Sequence, residues 1–353
     1  ETNSDIQTSI PSKNTPELLN EGESRNTLTL DLLLEHQGWK GAWLDNPVNL
    51  MDFELITDEA LSHLLEYEYE DVIVWSKQLT EAQELRLASH EGDVQICQLT
   101  QLKTVALARK IASQDCEVNL EDLLEVSDEV ADVLCQSTVD IKLSSLQTLT
   151  HIPLARKLAQ QKTPLRFKML TFLDPDIARE LANHRDGLLF GEEEQPPTLN
   201  LSVEAAYELS RYLGDSISFN LPRLSAELAS IFSDVTFDLD FEVWESISSD
   251  AAIALGQTRS NLNLYLPYDD FAMTVEHICT NKTVGDFSVL GPESPWHLEE
   301  EVAVNIAKFG GTSLSLPCTS ISTNAGKLLA TLSCDLYFRN ELEEFSTELA
   351  CAF

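Results

Sequence analysis

The stretch Val118-Asn-Leu-Glu-Asp-Leu-Leu-Glu-Val-Ser-Asp-Glu-Val-Ala-Asp-Val-Leu134 contains one complete structural unit. Val118 and Leu120 flank polar Asn119, the period-2 pattern of a strand with one buried face. After Ser127, Val130, Ala131 and Leu134 follow at three, four and seven places, which sets one apolar stripe along a helix. Ser127 divides the two elements. Its hydroxyl can accept a hydrogen bond from a free N–H of the first helical turn, and Asp128 and Glu129 sit at the positive end of the helix dipole.

The residue in the Ser127 place recurs as Thr57, Thr80, Thr104, Ser127, His151, Asp174, Ser202, Ser225, Ser248, Phe271, Glu299, Ser322 and Phe345. The steps between them are 23, 24, 23, 24, 23, 28, 23, 23, 23, 28, 23 and 23 residues. Most of these residues are Ser, Thr or Asp, as a cap requires; His151, Glu299 and the two Phe read as degenerate copies. The stripe returns as Leu154/Ala155/Leu158, Ile177/Ala178/Leu181, Ala205/Ala206/Leu209 and Leu228/Ala229/Phe232. After Thr80, Gln83 and Glu84 stand in the apolar places, and Leu85 with Ala88 suggests a stripe slipped by one residue. A unit this short cannot bury both of its apolar faces, so neighbours must stack with their strands parallel. The expected fold is α/β, a solenoid of about thirteen strand–helix units of 23–24 residues.

The pattern L-x-L-x-x-L-x-x-L followed by a helix resembles the leucine-rich repeat family over roughly residues 48–353. Ile56-Thr-Asp-Glu-Ala-Leu61 is similar to a segment of the family's cysteine-containing subclass, and Ser202-x-x-Ala-Ala-x-x-Leu209 to repeats of large bacterial, notably planctomycete, proteins. The resemblance implies a right-handed solenoid that serves as a recognition surface for other proteins. The family usually has Asn or Cys where this chain has Phe53, Leu99, Leu123, Leu146 and Leu170, so its buried Asn ladder is absent here.

Residues 1–27 are polar, include Pro11 and Pro16, and read as a flexible lead-in. Residues 28–353 read as a single domain in which 28–47 form an atypical N-terminal cap unit, since Leu28 to Trp43 fits neither the strand nor the cap spacing. The last unit is incomplete, because the chain stops eight residues after Phe345. Against 59 Asp and Glu stand 23 Lys and Arg, a formal net charge of -36, which would repel nucleic acid. No run approaches a membrane span.

The seven Cys show no Cys-x-x-Cys and no paired spacing with His, so they read as buried structural thiols, which favours the cytoplasm; an extracellular or envelope location would go with a removed signal segment. His63 and His277 share one repeat place and His90 and His184 another, a distribution set by the repeat rather than by catalysis. No phosphate-loop or Gly-x-Ser-x-Gly spacing occurs. The expectation is a non-enzymatic protein-binding scaffold, without cofactor or metal, that uses its strand face and rim loops. The rival readings are a spacer segment of a larger cell-surface or envelope protein and an enzyme with an unrecognised site. Partner identity and oligomeric state are not encoded in any motif.

The inward strand pairs are expected at Val48/Leu50, Val72/Val74, Val94/Ile96, Val118/Leu120, Ile141/Leu143, Leu165/Phe167, Leu188/Phe190, Ile217/Phe219, Val235/Phe237, Leu262/Leu264, Phe287/Val289, Leu314/Leu316 and Leu336/Phe338. Residues between them face outward. On that face Lys142, Arg166 and Lys168 form a basic island in an acidic chain, either a docking point or an offset to Asp140 and the surrounding negative charge. Trp75, Tyr265 and Tyr337 occupy similar outward places and are candidate apolar anchors. The two 28-residue steps come from Gly191–Pro197 and Leu290–Trp296, which should bulge from one rim, with Trp296 a further candidate contact.

Overall fold

The computed structural model describes residues 27–37, 54–66, 71–192, 199–266, 271–290 and 296–338. Strand and helix alternate along them. The first elements are β1 (Thr27–Leu28), α1 (Leu30–Gln37), β2 (Leu55–Ile56), α2 (Asp58–Glu66), β3 (Asp71–Trp75), α3 (Glu81–Ala88), β4 (Asp93–Cys97), α4 (Val105–Ala112), β5 (Val118–Asn119), α5 (Asp128–Leu134), β6 (Ile141–Lys142) and α6 (Ile152–Ala159). There follow β7 (Leu165–Phe167), α7 (Pro175–Leu181), β8 (Leu188–Phe190), α8 (Val203–Leu209), β9 (Ser216–Leu224), α9 (Ala226–Phe232), β10 (Asp238–Ile247) and α10 (Ser249–Gly256). The described chain ends with β11 (Leu262–Tyr265), α11 (Phe271–Asn281), β12 (Phe287–Leu290), β13 (Trp296–Leu298), α12 (Glu300–Ile306), β14 (Ser313–Leu316), β15 (Cys318–Ile321), α13 (Thr323–Leu329) and β16 (Asp335–Phe338). All strand pairings are parallel. The result is an α/β stack of strand–helix units, compatible with a solenoid.

The cap register is what the structure follows. Thr80, Thr104, Ser127, Ser202, Ser225, Ser248 and Ser322 each accept a bond from the N–H three residues on, and Thr57 does the same for Ala60. His151 is a working cap rather than a degenerate one: Leu154 N–H donates to its Nδ1 at 3.2 Å, which leaves the ring proton on Nε2 to donate to Asp132 at 3.1 Å. Glu299 makes no side-chain cap bond, and Phe271 is itself the first residue of α11. Phe345, Val48 and Leu50 lie outside the described residues.

Three readings change. Leu32 N–H meets the Thr29 hydroxyl at 3.4 Å at the start of α1, and β1 pairs with β2, so Thr29 takes a cap place 28 residues before Thr57. Residues 27–37 are thus a strand and a capped helix, and residues 38–47 of the expected cap unit lie outside the described residues. The stripe after Thr80 does not slip: Gln83, Glu84 and Leu87 are buried while Leu85 is 53% exposed. Polar residues hold the register because both are bonded. Gln83 closes a capping box with Thr80 and donates to Ile56 O at 2.9 Å, and the Glu84 carboxylate accepts from the Lys103 and Thr104 N–H groups at 3.0 and 2.6 Å. Finally, the inward pair of β10 is Leu239/Phe241, opposite Ile217/Phe219, and not Val235/Phe237, which are buried just before the strand.

The strand ladder is uneven. β7 to β12, β14 and β16 form one eight-stranded sheet, whereas among the described residues β3 pairs only with β4 and β5 only with β6. At the breaks between β4 and β5 and between β6 and β7 a buried glutamine occupies a strand's backbone group: Gln114 Oε1 accepts from Val94 N–H at 2.9 Å, and Gln161 donates to Ile141 O at 3.1 Å. A second rail, just ahead of the caps, stays continuous. Single backbone bonds run from Lys77 N to Glu54 O, Thr100 to Lys77, Leu124 to Thr100, Gln147 to Leu124, Thr171 to Gln147 and Asn200 to Thr171, all between 2.7 and 3.1 Å.

In the continuous sheet Phe167, Phe190, Phe219 and Phe241 stack face to face at 5.7, 5.5 and 5.5 Å, with Phe232 of α9 packed across Phe219 and Phe241. Each is fully buried, which is worth about 1.5–3 kcal/mol per ring. Leu99, Leu123, Leu146 and Leu170, at a separate repeat place, are buried as well, and Phe53 lies outside the described residues. Gly191 turns the chain out of β8 with φ +102°, and a Cβ there would lie 2.3 Å from the Asn220 side chain. The rest of that insertion, 193–198, and residues 291–295 of the other lie outside the described residues. Among the described residues no helix is long and apolar enough to cross a membrane.

Candidate protein-binding surface

The strand ladder opens between β6 and β7. The Gln161 amide holds Ile141 O there, and backbone contact resumes only at Lys168 N–H to Ser144 O, 2.7 Å. Between these two bonds lies a cleft of about 380 Å³ lined by Lys142, Arg166 and Lys168. The structure therefore brings the three basic residues to one opening.

Their charges are not equivalent. Lys142 Nζ lies 3.1 Å from Glu117 and 3.8 Å from Glu121, and Lys168 Nζ lies 3.1 Å from Glu192. Asp140 is not the offsetting group; its carboxylate accepts from the Thr163 hydroxyl at 3.4 Å. Glu117 and Glu121 escaped the sequence reading although the signal was present. They flank Asn119, the residue in register with Lys142, and diagonal cross-strand neighbours are within reach of long side chains. Arg166 is exposed and makes no hydrogen bond or ion pair among the described residues. A guanidinium presents a planar fork that matches a carboxylate bidentately, so Arg166 is the group at this opening ready to take an acidic side chain.

The aromatic candidates lie elsewhere. Trp75 is half-buried on β3, in register with Cys97, and beside it Ile73 is 50% exposed, an outward apolar residue that the sequence reading did not single out. Tyr265 on β11 is 43% exposed and Tyr337 on β16 is 56% exposed. In sheet order they stand four and seven strands beyond β7, roughly 19 and 34 Å at about 4.8 Å per strand. Only an extended partner could touch the island and both tyrosines. Trp296 opens β13 opposite Cys318, and its side chain lies outside the described residues.

Groups that could carry chemistry are arranged for packing. Cys279 and Cys318 are buried, whereas Cys97, Cys116, Cys135 and Cys334 are half-buried, so the thiols are less uniformly interior than expected. Burial pushes the Cys318 thiol up to about 12, and burial aided by Asp122 raises that of Cys97. His184 is fully buried with Nδ1 3.3 Å from Ala159 O, and burial lowers its pKa, keeping it neutral. Lys282 is also fully buried; its three protons reach Thr258 O, Thr258 Oγ1 and Ser260 O at 3.1, 3.1 and 2.9 Å, and burial pulls its pKa down to about 8. Among the described residues no group of three His, Cys, Asp or Glu is placed to hold a metal ion. The sequence matches no protein-family model and no curated protein.

Proposed function

We propose that the chain is a right-handed, leucine-rich-repeat-like solenoid of about thirteen units, one domain over residues 28–353, that binds another protein through its strand face and rim loops without catalysis or cofactor. The observation that carries this reading is Arg166, a guanidinium without a partner among the described residues that lines a cleft in the strand face. A cation offsetting local negative charge would be paired, as Lys142 and Lys168 are. The Ile73, Tyr265 and Tyr337 side chains on the same face supply apolar contact area of the kind interfaces use.

The test is affinity capture from the source lysate with the wild-type chain and with Arg166→Glu. Because Arg166 has no partner among the described residues, the variant should keep the unfolding midpoint and lose the retained protein. Undiminished capture by the folded variant would place the binding face elsewhere.

A further inference from the structure

The helix face carries its own regularity. Counted from the cap, the fifth residue of one helix meets the sixth of the next: Arg156 of α6 holds Glu180 of α7 at 2.7 and 3.1 Å, Arg179 of α7 holds Glu208 of α8 at 3.1 Å, and Asn305 of α12 donates to Glu276 of α11 at 2.7 Å. Other helix pairs lack such a rung, α9–α10 with Ser230 and Ala254 and α12–α13 with Val304 and Leu328 among them. Between α8 and α9 the same two places are Tyr207 and Ile231, both large and apolar, and no polar rung can form. Tyr207 is 52% exposed there, with the Arg211 guanidinium 4.5 Å from its ring centroid.

A groove of about 890 Å³ runs beside α8 at this point. Val203, Tyr207 and Ile231 give it an apolar lining, Arg179 at one side is neutralised by Asp176 and Glu208, and Glu204 and Glu227, the second residue after the cap on consecutive helices, line it as well. Both glutamates are exposed and neither forms an ion pair among the described residues. An apolar floor under unpaired carboxylates is the complement of a side chain with an aliphatic stem and a cationic head. The net charge of -36 draws basic partners from a distance and repels a second copy of the same chain.

We infer that the α8–α9 groove docks a basic amphipathic segment of a partner protein, its lysine or arginine stems lying over Val203 and Ile231 and its charges between Glu204 and Glu227. This surface lies on the helix side, apart from the strand face, and stands whether or not Arg166 binds anything.

The test uses a fluorescent leucine–lysine amphipathic peptide at about 0.15 M salt, where exposed charges are screened beyond about 8 Å. The decisive variant is Tyr207→Arg with Ile231→Glu, which installs the missing rung and leaves the net charge unchanged. Affinity should fall about tenfold or more, and Asp250→Lys with Glu301→Lys, the same repeat place outside the groove, should change it by less than about threefold. Equal affinity for wild-type and rung-repaired chains would overturn the proposal, showing only generic attraction to an acidic surface. Should the repaired variant misfold, methyl NMR of the wild-type chain decides. Shifts concentrated at Val203 and Ile231 on adding peptide support the groove; their absence there overturns it.

Discussion

Two stretches of one repeat array solve backbone pairing differently. From β7 onward eight strands hydrogen-bond without interruption, while from β3 to β7 the ladder runs in pairs with a glutamine amide at each break. The caps and helix stripes are common to both, so they do not set the difference. What differs is the second inward place of the strands: Val74, Ile96, Leu120 and Leu143 in the early half, Phe167, Phe190, Phe219 and Phe241 at the start of the late one. Stacked rings near 5.5 Å hold β7 to β10 at ladder spacing, while Leu264, Val289 and Leu316 carry the ladder on with aliphatic side chains, so the breaks themselves are marked by the intruding glutamine amides. The pre-cap rail spans the breaks, so units stay stacked even where the strands part. The cleft at Arg166 is a product of one such break.

The largest effect should come from the stacked phenylalanines. Phe219→Ala removes a fully buried ring that touches Phe190, Phe232 and Phe241, and should cost about 3–5 kcal/mol, more than Leu120→Ala in the early half. Denaturant midpoints measure both. Equal losses would remove the aromatic account of sheet continuity from β7 to β10.

Lys282 in the late half binds turn carbonyls with a charge where the early half uses neutral amides. Its folded pKa, about 8, lies below the ordinary lysine value of 10.5, so between these the unfolded chain binds more protons and stability rises with pH. Over that window the gain should be on the order of 2–3 kcal/mol. Lys282→Met should lose this rise relative to wild type, and a parallel pH profile for the two would show that the amine stays charged. Next in size is Gln161→Leu. It leaves Ile141 O buried without its donor and should cost about 1–3 kcal/mol, whereas Gln160→Leu, exposed at the same helix end, should stay within about 0.5 kcal/mol.

Helix starts were legible in the sequence because cap and stripe are local: Ser127 bonds Val130, three residues away. Strand register was legible only where a single apolar pair stood alone. Ahead of β10, Val235, Phe237, Leu239 and Phe241 alternate without a break, and period 2 cannot say which two face Ile217 and Phe219. Polar residues in core places were misread for a related reason. Gln83 and Glu84 look like a slipped stripe until their partners, Ile56 O and the Thr104 N–H, are known to lie a whole unit away. The basic island was visible from alternation alone, but its opening was not. A buried Gln161 and an exposed one are the same letter, and only the neighbouring strand decides between them.

The smallest expected effects are the most informative about the site. Arg166 and Lys142 carry the same charge at equivalent outward places on adjacent units, one without a partner among the described residues and the other beside Glu117 and Glu121. If the cleft is built for something outside the chain, its unengaged member should be free to change without loss of stability. Arg166→Glu should therefore shift the unfolding free energy by less than about 0.5 kcal/mol. Lys142→Glu gives up exposed pairs worth about 0.2–1 kcal/mol and adds like-charge repulsion, so it should be the more damaging of the two, and more so at low salt. Equilibrium unfolding of both at two ionic strengths makes the comparison. A substantial, salt-dependent loss from Arg166→Glu would mean that the guanidinium stabilises the fold by offsetting the chain's own negative field, and the cleft would then need no external partner to explain it.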